Sequence, residues 1–143
     1  MDTLKQPGID LKTILIIELN FRRAPIVPEK IDYDINIESV AALNEKKDTL
    51  NQTLKVIVKA KDGVSSEASC IIQGQFTTIP DQKNMELEEF SSASAPAVLY
   101  PFCREAIASI SMKAGMPVIL LPPFNFHALA ANAKNGKKEE KLV

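Results

Sequence analysis

The chain has 143 residues, 45% of them hydrophobic and 24% charged, a length that suits one domain with a core that needs neither disulfide nor metal. Seventeen Lys and Arg against eighteen Asp and Glu leave a formal charge of −1, which excludes a strongly basic surface built to read phosphates. No apolar run reaches the roughly 18 residues needed to cross a bilayer, and Met1-Asp2-Thr3-Leu4-Lys5 lacks the basic-then-apolar pattern of a secretory leader. Cys70 and Cys103 share no close spacing and suit reduced thiols. A soluble intracellular domain is expected.

In chain order, strands come first. Leu15, Ile17, Leu19 and Phe21 alternate with Ile16, Glu18, Asn20 and Arg22, the period of a half-buried strand. Pro25 and Pro28 bracket an extended stretch from Arg23 to Asp32 that cannot join a central ladder. Tyr33, Ile35 and Ile37 start a second strand, Asn44 to Asp48 reads as a turn, and Leu54, Val56, Val58 and Ala60 mark a third. Asp62-Gly63 is a hairpin signal. The returning strand puts Ala68, Cys70, Ile72, Gly74 and Phe76 on one face.

The period then changes. Met85, Leu87 and Phe90 suggest a short helix. Beyond the small residues Ser91 to Ala95, Leu99, Phe102, Cys103, Ala106, Ile107 and Ile110 recur at helical spacing, with Pro101 implying a start near Leu99 or a kink. Gly115 and Pro117 are a stop signal. Val118 to Leu121 is an extended connector between prolines, and Asn125 can cap a last helix through Ala133. From Lys134 the chain is polar, so residues 1–133 are expected to form the domain and 134–143 a disordered tail. The expected fold is α+β: a four-stranded antiparallel sheet with a long helix and a short C-terminal helix packed on one face.

Catalytic apparatus is sparse. His127 is the one histidine, and no Cys or carboxylate pair surrounds it at a metal-ligand spacing. No phosphate-binding loop, dinucleotide fingerprint or nucleophile elbow occurs. Glu88 and Glu89 are adjacent on a helix and so do not face each other. Neither an enzyme nor a cofactor is expected. The apolar content exceeds what so small a sheet can cover, which points to an oligomer interface, a groove for apolar partners, or both.

One family matches residue patterns in the second half. Leu99-Tyr100-Pro101-Phe102-Cys103-Arg104-Glu105, then Gly115-Met116-Pro117, then Leu120-Leu121-Pro122-Pro123-Phe124-Asn125-Phe126-His127-Ala128-Leu129 resembles the SecB protein-export chaperones in order and spacing. The resemblance implies an ATP-independent cytoplasmic holdase that binds unfolded preproteins in apolar grooves between the crossover, the sheet and the last helix. It implies a homotetramer, a dimer of dimers, in which the first strand pairs across a dimer through Ile17 and Leu19. The long helix, carrying Arg104, Glu105 and Ile107, would pack between dimers. Met85, Met112 and Met116 would add adaptable contacts.

For the groove, Ile26 and Val27 lie in an irregular connector where no strand face accounts for apolar side chains. Phe126 and Leu129 serve equally as groove lining or as the pin that holds the last helix to the sheet. Arg104-Glu105 reads as a structural salt bridge at a helix interface. By resemblance, acids on the outer sheet surface contact the SecA motor. Glu18 matches one, and Glu67 is the nearest acid on the returning strand. Arg22 and Arg23 stand where the family is acidic, and His127 replaces an Asp. A second reading is therefore a SecB-like chaperone dedicated to one client, such as an antitoxin of a toxin–antitoxin system. No nucleic-acid partner and no membrane insertion are expected.

Overall fold

Alternating apolar residues need a sheet with one covered face, and the chain builds one. The computed structural model describes residues 8–81 and 85–134, the last four as backbone alone. Strands β1 (Ile9–Arg23), β2 (Tyr33–Leu43), β3 (Thr49–Ala60) and β4 (Ser66–Thr78) precede helices α1 (Leu87–Ser92), α2 (Ser94–Lys113) and α3 (Phe126–Lys134). The sheet is antiparallel throughout, in the order β1-β4-β3-β2, so β1 and β2 are its edges. The expected tail lies outside the described residues, apart from Lys134, which ends α3.

On β3 and β4 the alternation holds without a break. Leu54, Val56, Val58 and Ala60, with Ala68, Cys70, Ile72 and Phe76, are all buried beneath the helices. Asn44 closes the β2–β3 turn, its Oδ1 accepting the Asp48 and Thr49 amides at 3.0 and 3.1 Å. Asp62 does the same for the β3–β4 turn, accepting the Val64 and Ser65 amides at 2.8 Å each, while Gly63 takes the left-handed φ of 79°.

The face expected for β1 is corrected. Its register against β4 skips Lys12 and Ile17, two bulges that each reverse the phase of the strand. Leu11, Ile14, Ile16, Leu19 and Phe21 therefore share the helix side, Leu15 turns outward, and Ile17 sits at a bulge.

Helix α2 starts at Ser94, ahead of the expected Leu99. Pro96 lies in its first turn, where a missing N–H breaks no bond. Pro101 lies inside the helix on the exposed side, so the lost hydrogen bond is near water. Leu99 packs directly on Gly74, where a Cβ would lie 2.7 Å from a Leu99 methyl. The helix ends in a Schellman motif: Gly115 at φ 72° donates to Met112 O, and Met116 donates to Ser111 O, both at 3.0 Å. Phe102, expected in the buried stripe, is instead 45% exposed.

Candidate functional site

After α2 the chain returns along it as an extended strap, residues 117–125. Ile119 and Leu121 point in, while Val118 and Leu120 point out. Three α2 side chains on one helix face hold it. Tyr100 Oη donates to Pro122 O at 2.6 Å, Arg104 Nε donates to Leu121 O at 2.9 Å, and buried Ser111 Oγ accepts the Ile119 amide at 3.0 Å. Burial pushes the Tyr100 phenol up, so it remains a donor. At the far end of the strap, Asn125 Oδ1 accepts the Ala128 amide at 2.9 Å and caps α3, as expected.

Arg104 and Glu105 point into different surroundings. They form no ion pair with each other: Arg104 reaches back to the strap, while Glu105 faces outward. Neighbouring helix positions diverge too far to meet.

The four groove candidates do not form one local site. Arg23, at the start of the crossover, donates to Ala114 O at 2.8 Å, at the C-terminal end of α2. Phe126 packs on Tyr100 with ring centroids 5.5 Å apart, near the other end. The helical rise separates these two anchor points by ~21 Å. Ile26 is open and Val27 half-buried at one end, with Leu129 half-buried toward the other. Phe126 is only 3% exposed, in an aromatic cluster with Tyr100 and Phe124, and so pins α3 down.

Among the interface candidates, Ile17 is exposed and Leu19 half-buried. Ile107 has no exposed surface; it is a core residue and offers nothing to a second copy. Phe102, Val98 and Met112 occupy the open side of α2 instead. Val98, Phe102 and Met112 recur at helical spacing, and that row is the one the sheet leaves open.

Both acids considered for a partner lie on the outer sheet face. Glu18 is exposed. Glu67 sits between Arg22 at 3.1 Å and Lys59 at 3.6 Å. The hydrogen bond from Arg22 holds its carboxyl below the usual carboxylate range. Register extends the row to Asp34 on β2, so Arg22, Glu67, Lys59 and Asp34 alternate in sign across all four strands.

The two thiols are buried between β4 and α2. Hydrogen bonding with Cys70, then burial, pushes the Cys103 thiol up, which keeps it protonated and unreactive. Among the described residues, no group of three His, Cys, Asp or Glu could hold a metal ion, and no helix is long and apolar enough to cross a membrane.

Known proteins share this pattern. The family model described as preprotein translocase subunit SecB matches residues 6–137. The protein-export protein SecB of Marinobacter nauticus is 30% identical over 142 residues, covering 94% of this chain and 85% of its own. That of Chromobacterium violaceum is 29% identical over 129 residues, covering 87% and 86%. Among solved structures, a SecB-like chaperone of Mycobacterium tuberculosis, in complex with a ChAD peptide from the HigA1 antitoxin, superposes with a TM-score of 0.66 at 14% identity, covering 85% of this chain and 95% of that one. That likeness establishes the fold. Because the family match spans all four strands and all three helices, the chain belongs to the SecB family.

Proposed function

We propose that this chain is a cytoplasmic holdase chaperone of protein export, binding unfolded polypeptides on apolar surface without ATP and working as a homotetramer of paired dimers. The family match over residues 6–137 carries the reading. The physical chemistry supports it. A holdase needs open apolar side chains and no reaction centre, and Ile26, Val64 and Leu120 are all exposed away from the outer side of α2. Their spread suits a long client, since an extended segment covers ~21 Å in about six or seven residues. Ile26, Val27 and Leu129 are the groove contacts in this reading, with Phe126 as the support beneath α3.

A second reading, a chaperone dedicated to one client such as an antitoxin, is favoured by the outer face. Arg22 and Lys59 already engage Glu67, so a partner that reads acids there meets a balanced surface.

The test is an aggregation assay with a slow-folding client at equimolar chaperone, with and without ATP, beside a pull-down with the SecA motor. Suppressed light scattering independent of ATP, with motor retained, supports the export holdase. Suppression of one client alone, with no motor retained, selects the dedicated chaperone. No suppression of the slow-folding client overturns the export holdase and leaves the dedicated chaperone.

A further inference from the structure

The chain has two cysteines, and folding brings them together from far apart in sequence. Cys70 and Cys103 are each 0% exposed, and each is the other's hydrogen-bond partner where α2 packs on β4. The approach is close because the next strand position in line is a glycine. Leu99, one helical turn before Cys103, occupies the space above Gly74, four residues along β4 from Cys70. The surroundings are apolar. Register puts Leu19 and Val56 beside Cys70, while Leu99 and Ile107 flank Cys103 one turn to either side. Among the described residues no third ligand joins the thiols, which separates the pair from a metal site. Any small apolar side chain would fill either position. Two thiols in contact can do one thing more, which is to be joined by the loss of two electrons and two protons.

We propose that Cys70 and Cys103 are a redox staple: a small peroxide oxidises the reduced pair to a disulfide that fixes α2 to β4. The hydrogen bond from Cys103 sets the order of events. It draws the Cys70 thiol below its ordinary value, against the opposing effect of burial, so Cys70 is the attacking thiolate. Cys103, held above its ordinary value, is no nucleophile at rest and enters second. The Cys70 sulfur attacks one oxygen of hydrogen peroxide, the O–O bond breaks, and the departing hydroxide leaves as water with the Cys70 proton. The Cys103 sulfur then attacks the Cys70 sulfenic acid, the S–O bond breaks, and the second hydroxide leaves as water with the Cys103 proton. Two thiols and one peroxide thus give one disulfide and two waters.

Burial selects the oxidant. Glutathione disulfide must meet an exposed sulfur, and neither thiol offers one. A peroxide needs only a brief local opening of α2. Pro101 supplies the weak point, because it lacks a backbone N–H two residues before Cys103. The disulfide would close the segment from β4 through α1 to α2 into a loop and so restrict the unfolded chain.

The test treats the full chain with hydrogen peroxide, alkylates the remaining thiols in denaturant and identifies peptides by mass spectrometry. Peptides are read because peroxide also oxidises exposed methionines such as Met112. A linked peptide joining positions 70 and 103 of one chain is expected, and reductant should release it. Oxidised chain should exchange α2 amide hydrogens more slowly and unfold at a urea midpoint higher by about 1–2 M. Dimedone should trap a sulfenic acid at Cys70 in Cys103→Ser and none in Cys70→Ser; where a serine hydroxyl unfolds the core, the alanine variants carry the same trap. Glutathione disulfide should leave the folded chain unmodified. Thiols that stay free in peroxide, or that go singly to sulfinic acid without a link, overturn the staple. Modification by glutathione disulfide as fast as by peroxide overturns selection by burial. A link that changes neither exchange nor midpoint overturns the fixing of α2.

Discussion

Ser111 has no solvent exposure, yet its hydroxyl has two partners: it donates to Ala108 O at 2.8 Å and accepts the Ile119 amide at 3.0 Å. Ser111→Ala should leave that amide buried and unpaired, at a cost of about 1–3 kcal/mol in urea unfolding. Tyr100→Phe removes a bond from the same row and should cost about 1 kcal/mol. Asp62 supplies a pH test. The Ser65 hydroxyl, followed by the Ser65 and Val64 amides, holds its carboxyl below the usual carboxylate range in the folded state. A folded value below the unfolded one adds stability that is present above the unfolded value and is lost as pH falls through the folded one. The melting temperature should therefore drop as pH falls below about 4, and Asp62→Ala should flatten that limb; an unchanged limb would show the turn contributes nothing there. At this scale the caps were legible and the clamps were not. Asn125 and Asp62-Gly63 act on neighbours in sequence, whereas Arg104 and Ser111 bond to carbonyls and amides that only tertiary folding brings near.

Legibility among the elements followed the same division. β3 and β4 could be read residue by residue because both are interior strands with one face wholly covered. β1 could not, because its two bulges change phase without leaving a compositional mark. For α2, helical spacing located the buried row but not the first residue, since Ser94 to Val98 are small or branched and contain Pro96. The contact between helix and sheet depends on one glycine. Gly74→Val should force Leu99 or α2 outward and cost about 1–3 kcal/mol, read as a lower urea midpoint. An unaffected midpoint would mean that Leu99 yields freely, against its complete burial.

For the whole molecule, the question is what covers the apolar surface the single chain leaves open. Leu15, Ile16 and Ile17 are each more than half exposed on the edge strand β1, and Val98, Phe102 and Met112 line the outer side of α2. An edge with unpaired backbone groups and adjacent apolar side chains invites another strand, and burying the exposed half of each of those side chains is worth about 1 kcal/mol. Assembly through β1 and α2 is therefore expected. Buried Ile107 supplies the control for exposed Ile17 and Phe102. Ile17→Lys changes an exposed residue, so it should yield a smaller species by light scattering, down to the 15.7 kDa monomer if both interfaces depend on β1, with its sheet and helix circular dichroism retained. Phe102→Asp should break the α2 contact in the same way, with the fold again intact. Ile107→Lys places a charge in the core and should unfold the chain instead of dissociating it. If Ile17→Lys and Phe102→Asp both keep the wild-type mass, neither surface is an interface, and the exposed apolar residues would all be left to clients.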